Sequence, residues 1–221
     1  MEWIELIFPK ACEGCGERGE YICSKCQKKL VYPEGICPMC CRPSLGGWTH
    51  PRCRKKRGMD RLGVGLPYRG IVQQGLKKVK YKSQWDRIEF LFRLGKEKFD
   101  EQMLREGSKD LVVTSVPMWK EKEKERGFNQ AEVLAKLVAK QYNLEYVRML
   151  ERVRVTKPMY GLKREEREKN VAEAFRRKVE RVNKRVILVD DVWTTGATMR
   201  ECAKILKDQG AKEVWGLAIA R

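Results

Sequence analysis

Val186-Ile187-Leu188-Val189-Asp190-Asp191-Val192-Trp193-Thr194-Thr195-Gly196-Ala197-Thr198 is an apolar run that ends in two adjacent carboxylates and a threonine-rich turn. The apolar residues do not alternate with polar ones, which is the pattern of a strand buried on both faces of a parallel sheet. In open α/β sheets ligands bind at the carboxyl ends of the strands, where Asp190 and Asp191 stand. Backbone N–H groups of a turn that enters a helix form a cradle for phosphate. Thr194, Thr195 and Thr198 add hydroxyl donors, and Gly196, beside Ala197, lets the backbone approach a ligand closely. With a 5′-phosphate in that cradle, the two carboxylates are placed to accept hydrogen bonds from vicinal ribose hydroxyls. The turn is not a P-loop, because no Gly-Lys-Ser/Thr follows it, and it lacks the glycine pattern of a dinucleotide fingerprint.

The pattern around this stretch is also α/β. Leu62 to Tyr68, Leu111 to Val116, Arg185 to Val189 and Val214 to Ala220 read as strands, the second of them stopped by Pro117. Ile71 to Tyr81, Gln84 to Leu104, a segment capped by Asn129, and Thr198 to Gln209 read as helices. Strands alternating with helices predict a parallel sheet covered on both faces. Residues 148–185 hold fourteen basic and six acidic residues, and with poor periodicity around Lys157-Pro158 they read as a loop followed by a charged helix. Lys120 to Arg126 alternates in charge and reads as a mobile loop. Cys202 falls inside a predicted helix as a core residue.

Eight of the nine cysteines lie between Cys12 and Cys53. They are spaced Cys12-x2-Cys15, Cys23-x2-Cys26, Cys37-x2-Cys40 and, with the only histidine of the chain, His50-x2-Cys53. A C-x2-C turn aims two thiolates at one tetrahedral ion, and an imidazole nitrogen serves as well as sulfur. Two such pairs close a structural zinc site, so the spacing predicts two zinc ions. Sequential pairing and a cross-braced pairing use the same residues, and Cys41 is left over in both. Four protein ligands leave no open coordination position, which argues against catalysis by this metal. The run Arg54-Lys55-Lys56-Arg57-Gly58 marks a boundary. Residues 1–58 are expected to form a zinc-ribbon domain and 59–221 the α/β domain.

Lys+Arg 48 against Asp+Glu 30 in 221 residues gives a formal charge of +18. Seven thiolates on two Zn²⁺ would lower it to about +15. Such a surface favours anionic partners: nucleic acid, phosphorylated metabolites or acidic lipid. No apolar run approaches the length of a membrane span, and residues 1–10 carry acids without a basic opening or cleavage site. The expectation is a cytoplasmic protein that is not integral to the membrane.

The segment from Val186 to Thr198 resembles the phosphoribosyl pyrophosphate (PRPP) motif of type I phosphoribosyltransferases. Taken with the zinc-ribbon spacing, Leu66-Pro67-Tyr68, Lys80-Tyr81, Ser115-Val116-Pro117, Arg126-Gly127-Phe128-Asn129-Gln130, and Arg167 with Asn170 and Phe175, the chain resembles the ComF (ComFC) family over nearly its whole length. His50 stands where that family commonly has cysteine, and Met159 where it commonly has glutamine. The resemblance implies a type I phosphoribosyltransferase-like fold and a link to natural competence and DNA uptake. It implies that Asp190 and Asp191 hold ribose hydroxyls and Thr194 to Thr198 the 5′-phosphate. Ser115, Val116 and Pro117 match the pyrophosphate loop, Mg²⁺ accompanies PRPP, and Arg126 closes on the pyrophosphate. Three functions compete: a PRPP-binding protein that assists DNA uptake by holding single-stranded DNA among other competence proteins, an active phosphoribosyltransferase with an unknown acceptor, and a PRPP-sensing regulator. No histidine lies outside the zinc region, so histidine general-base catalysis is not expected.

Overall fold

The computed structural model describes residues 10–79, 86–100, 110–156 and 163–221. The readings at Lys80-Tyr81, Lys157-Pro158 and Met159 lie outside these residues, as do the far ends of the predicted helices Ile71 to Tyr81 and Gln84 to Leu104. A one-turn helix α1 (Ser24–Gln27) and two single 3-10 turns are the only regular helical pieces described before residue 58. There follow β1 (Arg61–Leu66), α2 (Gly70–Lys78), α3 (Asp86–Phe99), β2 (Leu111–Ser115), α4 (Lys120–Arg126) and α5 (Gln130–Gln141). The chain continues with β3 (Glu145–Tyr146), β4 (Leu150–Arg152), α6 (Arg164–Val171), β5 (Phe175–Arg177), β6 (Arg185–Val192), α7 (Ala197–Asp208) and β7 (Val214–Ala220).

Five strands form one sheet in the order β1-β7-β6-β2-β3, and every neighbouring pair is parallel. The continuous apolar runs of β2, β6 and β7 follow from burial on both faces. Leu111, Val113, Ile187, Val189, Trp215 and Leu217 point into one core, with α3 and α5. Val112, Val186, Leu188, Val214 and Ala218 point into the other, with α7. Cys202 is fully buried there, as its place in the helix predicted.

Two readings are corrected. Lys120 to Arg126 is a helix rather than a mobile loop. Its alternation puts opposite charges three residues apart but like charges four apart, so charge spacing does not decide the helix, and Gly127 closes it in the left-handed conformation (φ 80°) with its N–H on the Glu123 carbonyl at 2.7 Å. Between residues 148 and 185 the charged helix is present as α6, but it is flanked by β4 and β5, which pair as a small antiparallel sheet that the sequence pattern did not reveal. Leu150 and Phe175 are its only strongly buried strand residues, too few to show a period of two.

The cysteine-rich segment packs directly on the sheet. Cys12, Ile22, Cys23 and Cys26 belong to the same core as Leu66, Leu76 and Leu91. Glu13, between two ligand cysteines, accepts from Lys78 of α2 at 2.6 Å and pairs with Arg87 of α3. Further along, the Thr49 N–H donates to the Asp60 carbonyl at 2.8 Å. Gly47 (φ 73°) passes so close to β1 that a Cβ there would lie 2.0 Å from the Leu62 carbonyl oxygen.

Candidate functional site

The eight predicted metal ligands gather into two sets in sequence order: Cys12, Cys15, Cys23 and Cys26, and Cys37, Cys40, His50 and Cys53. Within each set the ligand atoms all lie within 4.8 Å of one another, so either group can hold a metal ion. The cross-braced alternative is not the arrangement formed, and Cys41 stands outside both sets. The donor chemistry fits zinc. Cys12 Sγ accepts from the N–H groups of Gly14 (3.4 Å) and Cys23 (3.3 Å), bonds that favour thiolate over thiol. Burial opposes ionisation of Cys12, yet the N–H groups of Cys23, Gly14 and Cys15 bring its pKa down to about 6. Cys26, hydrogen-bonded to that sulfur and buried, is pushed up to about 12. His50 Nε2 lies 3.0 Å from the Pro43 carbonyl and Nδ1 3.4 Å from Cys40 Sγ, so Nδ1 faces the ligand set and the carbonyl fixes the tautomer.

The second site is a cleft at the carboxyl ends of β2 and β6. A cavity of about 330 Å³ is lined by Asp190, Asp191 and Thr198 on one side and by Val116, Pro117, Trp119, Lys122 and Arg126 on another, with Asn129, Gln130, Arg152 and Thr156 among the remaining lining residues. A smaller cavity of about 20 Å³ adjoins it, enclosed by Thr194 to Met199, Trp193, Asp190 and Arg167. The sheet register explains the convergence: β2 and β6 are adjacent and parallel, with Ser115 opposite Val189. The residues following both strands therefore emerge at the same edge.

Asp190 keeps some surface at the cleft mouth, but its carboxyl group is enclosed by protein. That burial, and then the charge of Asp191, push its pKa well above the ordinary carboxylate range. The Asp191 N–H donates to Asp190 Oδ1 at 2.9 Å and Arg152 supplies a positive field, and both pull in the opposite direction. Burial, and then the Asp191 charge, raise the Tyr68 phenol as well, against a hydrogen bond with Gln73. The turn after β6 enters α7 through Gly196 at φ 75°, and among the described residues no side chain caps that helix. Its first N–H groups are the orphan donors that a phosphate satisfies. Underneath lies Trp193, 2% exposed; a Cβ on Gly196 would fall 2.2 Å from its ring.

Not every predicted residue faces this cleft. Ser115 is buried at the end of β2, with Oγ 3.0 Å from the Tyr146 hydroxyl, and it lines a neighbouring cavity of about 260 Å³. The Val116 N–H is taken by the Val189 carbonyl at 2.9 Å, so it belongs to the sheet and not to an anion cradle. Arg126, on α4, lies with its Nη1 3.5 Å from Gln130 Oε1 and reaches the cleft wall. Sequence reasoning missed three contributors. Asn129, read only as a helix cap, does cap α5 through Ala131 N–H (3.0 Å), and its Nδ2 also donates to the Val116 carbonyl at 3.0 Å, fixing the loop. Arg152 and Thr156, which pair with each other, come from the overlooked strand β4 and the loop beyond it.

A parallel sheet with a ligand-sized cleft at its carboxyl edge and an open helix N-terminus matches what the comparisons with known proteins find. Residues 129–219 match the phosphoribosyl transferase domain family, so this chain carries a phosphoribosyl transferase domain. The chain is also homologous along most of its length to the ComFC and YhgH proteins. It is 29% identical over 209 residues to the DNA utilization protein YhgH of Salmonella typhimurium, covering 89% of each chain. It is 28% identical over 205 residues to the competence protein ComFC of Streptococcus pneumoniae, covering 90% of this chain and 87% of that one. A shorter match, 35% over 115 residues, joins it to competence protein F of Haemophilus influenzae, covering 49% and 50%. Among the described residues no helix is long and apolar enough to cross a membrane.

Proposed function

We propose that the chain binds PRPP with Mg²⁺ in this cleft and assists DNA uptake in the cytoplasm by holding single-stranded DNA. The observation that carries the reading is the single cavity shared by Asp190, Asp191, Thr198 and Arg126. The turn from Thr194 to Thr198 would receive the 5′-phosphate on its uncapped N–H groups. Asp190 and Asp191 would accept from the ribose hydroxyls. Adjacent carboxylates also suit a divalent cation, and Mg²⁺ when bound would neutralise pyrophosphate oxygens. Pro117, Lys122, Arg126 and Arg152 line the remaining wall and would face the pyrophosphate. In this reading residues 1–58 form a zinc-bearing module docked on a sugar-phosphate module of residues 59–221.

The DNA half of the proposal rests on the formal charge of +18 and on the names of the relatives, which concern competence and DNA utilization. Phosphate contacts release counterions, so affinity for a single-stranded oligonucleotide should fall linearly in log–log form with salt, by about 0.7 per contact. A salt-independent signal, or none, would remove this half.

Glycosyl transfer from PRPP to an unknown acceptor is the second reading. It is favoured by the three cations that meet the acidic pair across one cavity, because displacement at the anomeric carbon needs a neutralised leaving group and a sugar held still. Pyrophosphate release on adding nucleobases or DNA would establish it. Its absence with bound PRPP favours the binding reading.

A further inference from the structure

The arginine that opens the second turn of α7 belongs to neither the cleft nor the metal sets, yet it touches the supports of both. Arg200 is 11% exposed at its side chain. Its Nη1 donates to the Pro38 carbonyl at 3.1 Å, inside the Cys37-x2-Cys40 turn, across 162 positions of sequence. Its Nη2 donates to Glu168 Oε1 of α6 at 2.9 Å. The guanidinium carbon sits 5.9 Å from the centre of the Trp193 ring, and a Cβ on Gly196 would lie 2.8 Å from Nη1. The Arg200 N–H closes the first turn of α7 on the Gly196 carbonyl at 2.9 Å.

One guanidinium therefore meets three separate elements around the threonine-rich turn: the second cysteine knuckle, α6, and the indole that floors the turn. Five fixed N–H donors in a planar fork allow a single arginine to do this, and a lysine has no comparable geometry. Gly196 is left-handed, Thr194 is exposed, and no side chain caps the helix among the described residues.

We propose that Arg200 is a positioning residue that braces the Thr194–Thr198 turn against the Cys37/Cys40/His50/Cys53 knuckle, so that metal in this knuckle preorganises the turn for a sugar phosphate. Metal at the set would fix the Cys37-to-Cys40 turn, hence the Pro38 carbonyl, hence the guanidinium over Trp193. The ligand part of this statement rests on the proposed binding of PRPP; the bracing of the turn does not.

The test separates the two. Hydrogen–deuterium exchange of the Trp193 and residue-200 amides, which donate to the Ala220 (2.8 Å) and Gly196 (2.9 Å) carbonyls at either end of the turn, is measured without ligand on the full chain, before and after a chelator removes the metal, and on Arg200→Met and Arg200→Lys. A charged hydrogen bond lost should speed exchange of the turn about tenfold in Arg200→Met. Arg200→Lys should rescue little, because the ammonium cannot bridge the same partners. Metal removal should speed the same amides in the wild type and add little in Arg200→Met, since both break one chain of contacts. Unchanged exchange in the wild type after metal loss overturns the proposal without any variant, as does full additivity of the two perturbations. Titration of PRPP then reads the consequence: about tenfold weaker binding in Arg200→Met. If wild-type protein does not bind PRPP but the turn still loosens as described, the functional reading fails and the bracing stands.

Discussion

Replacing Gly196 by alanine tests how the turn is built, and its cost can be worked from the geometry. Two terms contribute. Holding a residue with a Cβ at φ 75° costs roughly 1–2 kcal/mol, because Cβ crowds the following carbonyl. The new Cβ would also lie 2.2 Å from Trp193 Cη2 and Cζ2, and Trp193 is buried and cannot yield without moving the core beneath it. Overpacking of this kind costs about 1–3 kcal/mol. The total, about 2–5 kcal/mol, lies within the stability of an ordinary domain, so the protein should remain folded at room temperature with a lowered midpoint. Gly70→Ala supplies the control. Gly70 is also left-handed (φ 50°), but nothing lies within 4 Å of its Cβ position, so only the first term applies. Urea unfolding of the three proteins with metal present gives the comparison. Gly196→Ala should be less stable than Gly70→Ala by about 1–3 kcal/mol at unchanged denaturant slope. Equal losses would mean that the indole does not floor the turn as described, and the reasoning would be refuted.

Glu132→Gln should cost about 1–2 kcal/mol at neutral pH, because it removes the charged acceptor of Lys136 (2.8 Å) and Arg148 from a carboxylate that is 8% exposed. Burial raises the Glu132 pKa, but the hydrogen bonds and charges of Lys136 and Arg148 outweigh it, so the net shift is downward. Its stabilisation is therefore present above the unfolded value near 4.5 and is lost as pH falls through the lower folded value, a slope that urea titrations at several pH values should lose in the variant. Asp190→Asn should behave in the opposite sense. A carboxyl whose folded pKa is raised destabilises the fold above its unfolded value, so the amide should increase stability near neutrality while harming ligand binding. Elemental analysis of the purified chain should find two zinc ions per molecule, and Cys53→Ser should lower the count at the second set while leaving the first.

Several features were legible in the residues alone, for identifiable physical reasons. The run from Val186 to Val189 is apolar at every position because both faces of β6 are covered, and a strand with one solvated face would alternate instead. The cysteine spacing reports metal geometry directly, and the two sets form as the four pairs suggested. Which pair joined which was not legible, since both pairings satisfy the same local turns. Short elements escaped for a different reason. The two-stranded β4–β5 sheet pairs only three residues per strand, so Arg152 could not be foreseen at the cleft. The helix Lys120–Arg126 has no buried residue, so no periodicity marked it, and its clearest signal is the closing Gly127. The direction in which Ser115 turns, toward Tyr146 and away from the cleft, depends on a contact between strands 31 positions apart.

Calorimetric titration of Mg-PRPP into the metal-loaded full chain, and into Asp190→Asn/Asp191→Asn, examines the acidic pair and the threonine turn together. Saturable binding by the wild-type protein, abolished in a double variant that unfolds as cooperatively as its parent, is the outcome expected. Equal affinity in the two proteins would show that the sugar phosphate, wherever it binds, is not held at the end of β6.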